Sequence, residues 1–120
     1  MKQPIIEWFE RSMPFRGILA GGLRLGDHTT TARSWSDAYP KVAIDNVLRC
    51  VADIYQVLPV NGMPQARLRL VYHSAFLHCE QGADGSCLGV FTVDDHEGYD
   101  AAGLEDFFKQ FRGWSGAKAA

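Results

Sequence analysis

Histidines, cysteines and carboxylates are the side chains that could do chemistry in this sequence, and their spacing argues against it. His73, His78 and His96 lie in one stretch with Cys79 and Cys87. A zinc site needs its ligands to converge from one side. His78 and Cys79 are successive residues of an apolar strand, so their side chains point to opposite faces. A two-residue Asp84-Gly85 turn sets His78 opposite Phe91 and Cys79 opposite Val90, with Cys87 far along the His78 face. No ligand set and no base–nucleophile pair follows from that arrangement. Buried packing for the cysteines and a hydrogen-bonded histidine are expected instead.

The densest acidic run, Asp94-Asp95-His96-Glu97-Gly98-Tyr99-Asp100, lacks the ligand spacing of an EF-hand loop. It reads as a solvated turn whose Asp100 favours the start of a helix. Gly21-Gly22-x-x-x-Gly26 is not followed by the Gly-Lys-Ser/Thr of a phosphate-binding loop. No catalytic residue, no metal ligand and no cofactor is assigned, and the chain is not expected to be an enzyme.

The elements that carry these residues can be read from periodicity. Ile5, Ile6, Phe9 and Met13 are at helical spacing, and Met13-Pro14 ends that helix. Gly17 to Leu25 is a strand, and Gly21-Gly22 in its middle implies a bulge or close approach by a helix. His28 to Trp35 is a second, threonine-rich strand of edge character. Asp37 to Leu58 is a long helix, capped by Ser36 or Asp37 and stopped by Pro59, with Asn61-Gly62 turning the chain. Ala66 to His73 alternates Arg67 and Arg69 with Leu68, Leu70 and Tyr72, the mark of a strand with one wet face. Ala75 to Glu80 and Cys87 to Val93 are apolar on both faces, hence central strands between helices. Leu104, Phe107, Phe108 and Phe111 give a C-terminal helix.

An α+β fold follows: a five-stranded antiparallel sheet flanked by helices on both faces, in the order α-β-β-α-β-β-β-α. Residues 1–115 form one domain, and 116–120 a frayed tail.

The long helix is more apolar than a surface helix needs to be. Ala43, Ile44, Val47, Leu48, Cys50, Val51, Ile54, Tyr55, Val57 and Leu58 cover an arc of roughly 180°, where ~100° suffices. Asp45, Arg49, Asp53 and Gln56 fill a narrow polar arc. One apolar edge (Ile44, Leu48, Val51, Tyr55) can cover a sheet. The other (Ala43, Cys50, Ile54, Val57) needs a second partner, supplied either by deep burial in the domain or by another subunit.

Composition narrows the function further. The net charge of −2 leaves no basic excess for neutralising nucleic-acid phosphates. No apolar run of ~18 residues is present, so membrane insertion is not expected. Three cysteines without CxxC spacing suit a reducing compartment, and a cytoplasmic location is expected.

The element order and strand texts resemble the roadblock/dynein light chain superfamily, with its profilin-like or longin-like fold. Arg16-Gly17-Ile18-Leu19-Ala20 matches the family's glycine-led first strand. Ala83-Asp84-Gly85-Ser86-Cys87-Leu88-Gly89-Val90 matches its closing hairpin, and the likeness spans about Phe15 to Asp95. Gly26-Asp27-His28 and the following threonines depart from the family's Asp-Gly turn and apolar second strand.

The resemblance implies a non-catalytic domain that forms homo- or heterodimers by pairing long helices and joining third strands, here a homodimer. It also implies scaffolding or regulation of a small GTPase or a signalling complex. The interface would then hold Ala43, Val47, Cys50, Ile54, Val57, Leu68 and Leu70. Trp35, Arg67 and Arg69 form an aromatic–arginine set suited to a protein partner. A small-molecule sensor is the alternative, with a pocket between sheet and helix where Gly21-Gly22 leaves room.

Overall fold

Apolar periodicity fixes eight elements, and a computed structural model bears them out, describing residues 3–13, 15–60, 67–72, 74–82 and 84–116. They are α1 (Gln3–Ser12), β1 (Ile18–Arg24), β2 (Thr30–Ser34), α2 (Lys41–Val60), β3 (Leu68–Tyr72), β4 (Ala75–Gln81), β5 (Cys87–Val93) and α3 (Ala101–Gly116). His73, Asn61-Gly62 and residues 117–120 of the expected tail lie outside the described residues. Gly116 still belongs to α3.

The strands form one antiparallel sheet in the order β2-β1-β5-β4-β3. β5 and β4 are central and buried on both faces, as their unbroken apolar text predicts. β2 and β3 are the two edges. One face carries α1 and α3 over a core of Ile5, Phe9, Leu23, Leu88, Phe108 and Phe111, among others. The other carries α2 alone, with Ile44, Leu48, Val51 and Tyr55 on Ala20, Leu77, Cys79 and Phe91.

Three local expectations are corrected. The long helix begins at Lys41, not Asp37, and Pro40 is the cause. The residue before a proline avoids helical geometry, so Tyr39 leaves the helix and turns back, its N–H donating to Ser36 O at 3.1 Å. Pro40 O then accepts the first helical bond, from Ile44 N–H. At the other end the helix runs through Pro59 to Val60. The hydrogen bond that proline cannot donate is lost only in the last turn.

The third correction is the β4–β5 register. Gly82 N–H donates to Ser86 O, and Gly85, at φ +87°, donates to Gly82 O. The loop is therefore longer than two residues. His78 pairs with Val90 and Cys79 with Gly89, one place from the expected partners. Cys87 consequently joins Cys79 in the core under α2, not the His78 face.

The Gly21-Gly22 pair proves to be a place of close approach. A Cβ at Gly21 would stand 2.5 Å from Met13 Cε, and one at Gly22 2.6 Å from Ile44 Cγ2 and 2.7 Å from Leu48 Cδ1. Gly22 pairs with Gly89 across the sheet, and Leu48 also touches down there. The register irregularity of β1 lies elsewhere, between Ile18 and Ala20.

Candidate functional site

α2 shows the two apolar edges that its sequence carries. Ile44, Leu48, Val51 and Tyr55 are buried on the sheet, and the Tyr55 hydroxyl donates to Cys79 O at 3.0 Å. Ala43, Val47 and Ile54 are only half-buried, and Cys50 is exposed. Val57 is 55% exposed.

Between this second edge and the sheet runs an apolar groove of about 310 Å³, lined by Ala43, Asn46, Val47, Cys50, Val51, Ile54, Leu70 and Leu77. β3 supplies its far wall and is also an open sheet edge. Leu68 and Leu70 are half-buried on the α2 side. Val71, on the opposite side of the strand, is 75% exposed. Five residues expected at an interface thus surround one groove, while Val57 and Leu68 lie outside its lining. Leu77 was not among those expected. It reaches the groove because β4 pairs Leu77 with Leu70, a register that the text of either strand leaves open.

The three residues expected to meet a partner are not brought together. Trp35 follows β2, at the opposite edge of the sheet from β3. It is 39% exposed, with the Arg33 guanidinium 5.3 Å from its ring. Arg67 pairs with Glu105 of α3 and lies over the Phe108 ring at 4.9 Å. Arg69 lies over Phe76 at 5.0 Å, its Nη1 3.5 Å from His96 Nδ1. The face of β3 read as wet is therefore partly covered by α3.

His78 is buried on the α3 side, its Nε2 3.0 Å from Thr92 Oγ1. That hydroxyl is also 3.1 Å from Val93 O. Burial first, then the charges of Arg67, Arg69 and His96, lowers the His78 pKa to about 4. Burial raises the Cys79 thiol to about 12 and the Cys87 thiol to about 11. Both are thiols at neutral pH, the unreactive form. Among the described residues no three His, Cys, Asp or Glu side chains gather as a metal site would require. In the acidic run, Asp95 Oδ1 accepts from Glu97 N–H and Asp100 Oδ1 caps α3 by accepting from Gly103 N–H at 2.9 Å.

Comparison of the sequence with protein-family models and with curated proteins finds no match. Among solved structures, the chain is similar to the Roadblock/LC7 domain from Streptomyces avermitilis. The TM-score is 0.50 at 15% identity, over 83% of this chain and 87% of that one. The fold is that of a roadblock domain. The likeness is one of architecture, and it agrees with the element order read from the sequence. Within this roadblock fold, the groove and the open β3 edge lie side by side. No helix among the described residues is long and apolar enough to cross a membrane.

Proposed function

We propose that this chain is a non-catalytic regulatory or scaffold domain that acts as a cytoplasmic homodimer on a partner protein of the small-GTPase class or a signalling complex. The observation that carries the reading is the apolar groove beside the open β3 edge. Apolar side chains lining a groove gain by leaving water, at about 25 cal/mol per Å². Unpaired strand N–H and C=O groups gain by finding another strand. A second copy offers both at once: its α2 for the groove and its β3 for the edge. The resulting sheet has ten strands, with a β2 edge at each end.

The exposed Trp35 at those ends, with the half-buried Arg33 over its ring, is the docking element we assign to the partner, since aromatic and arginine side chains dominate binding hot spots. The fold gives less support to a sensor pocket at Gly21-Gly22, because Met13, Ile44 and Leu48 occupy that space.

Light scattering tests the dimer. The chain of 13.3 kDa should run at twice that mass. Cys50→Glu with Ile54→Glu should yield a monomer or an aggregating chain, since each carboxylate would be buried without a partner. A well-folded dimer of the double variant would place the interface elsewhere.

A further inference from the structure

On the α3 side of β3 lies a polar recess of about 450 Å³ that the dimer reading does not use. Arg67, Arg69, His78, Tyr99, Ala101 and Glu105 line it. Arg67 Nη2 is taken by Glu105, but Arg67 Nη1 is buried and has no hydrogen-bond partner among the described residues. A buried donor on a charged group is costly to leave unmade. Arg69, two residues along the same side of the strand, holds a second guanidinium at the recess. Each guanidinium lies over a phenylalanine ring, within cation–π distance.

The charges do not cancel. Two guanidinium groups face one carboxylate, that of Glu105. Two other carboxylates on this side are engaged, Asp100 in capping α3 and Glu80 in pairing with Arg112. Ala101 is the first residue of α3, so the positive end of the helix dipole adds to the field. We propose that this recess binds the phosphate group of a small phosphorylated molecule. A planar carboxylate is satisfied by a single guanidinium fork. Donors arriving from two guanidinium groups instead match the several oxygens of a tetrahedral anion. Each of the two guanidinium groups that line the recess, Arg67 and Arg69, donates to a phosphate oxygen. His78 stands by as a neutral wall, and an anion beside it offsets the arginine charges that help keep it unprotonated.

Inorganic phosphate is the probe, titrated into the full chain by calorimetry at constant ionic strength, with acetate as the planar control. Saturable 1:1 binding of phosphate is expected, with acetate weaker by about tenfold, ~1.4 kcal/mol. Arg69→Gln should weaken phosphate binding by about tenfold or more, while Arg49→Gln on α2 leaves it unchanged. In proton NMR the His78 ring titration should move to higher pH when phosphate is bound. Circular dichroism confirms that the Arg69 variant is folded, because Arg69 is an exposed strand residue. Equal phosphate affinity in the two arginine variants, acetate binding as tightly as phosphate, or no saturable binding overturns the proposal. Light scattering of the same samples reports the dimer separately.

Discussion

The two faces of the sheet solve the same covering problem with unequal means. Five strands at ~4.8 Å spacing make a sheet about 20 Å wide, and a helix with its side chains is only ~10 Å across. The α1/α3 face has two helices and is closed by aromatic rings. Trp8 stacks on Phe107 at 4.8 Å and donates its Nε1–H to Gln110 at 2.7 Å, while Phe9, Phe108 and Phe111 are fully buried. The other face has α2 alone, packed over β1, β2 and β5 with less contact to β4. One helix cannot span that width, so Leu70 at the β3 end is only half-buried, beside a groove that reaches down to the buried Leu77. The groove thus follows from counting layers: two helices fill the middle of their face with rings and leave only a polar recess at its β3 end, whereas a single helix leaves an apolar groove.

Truncation should expose the difference most strongly. Phe111→Ala, in the closed face, is expected to cost about 3–5 kcal/mol and lower Tm by roughly 10–20 °C. Val57→Ser, on the open edge of α2, should change monomer stability by less than ~0.5 kcal/mol. Thermal unfolding checks both, and comparable losses would mean that the second edge of α2 is already covered within the monomer.

The closed face should also be the acid-sensitive one. The His78 pKa in the folded chain lies near 4, below its ordinary value of 6.5. The unfolded chain therefore binds the proton more readily, and stability falls as pH drops from 6.5 toward 4. At pH 5 the loss from this group is about 2 kcal/mol. His78→Gln should flatten the decline in denaturant stability between about pH 7 and about pH 5. An unaltered slope would assign the acid sensitivity to other groups.

A last comparison separates the two edges. β3 amides that point away from β4 should exchange about tenfold or more slower in the dimer than the outward amides of β2, a difference of ~1.4 kcal/mol or more. Equally fast exchange at both edges would leave β3 unpaired.

Local pattern made the elements legible, because each buries one face or two and its residues say which. Ile44, Leu48, Val51 and Tyr55 were readable as the sheet-facing edge of α2 for that reason. What escaped depended on relations between distant segments. Asp84-Gly85 reads alike in a two-residue turn and in a longer loop, so the register of His78 and Cys79 came out one place off. Trp35 was grouped with Arg67 and Arg69 because nothing local reveals that β1 pairs with β5 and sends β2 to the far edge. The pairing of Arg67 with Glu105 joins positions that only the docking of α3 brings together.

The glycine floor beneath Leu48 sets a height. Gly22 and Gly89 let α2 ride lower over the sheet than side chains would permit. A methyl at Gly22 would meet Ile44 and Leu48 at 2.6 and 2.7 Å, so the helix would have to rise by about 1 Å to restore ordinary contact. Ala43, Val47, Cys50 and Ile54 ride on that same rigid rod. Two hydrogen atoms in the middle of the sheet therefore tune the depth of an apolar groove on the molecule's flank, and a chain that lost them would carry that groove at another depth.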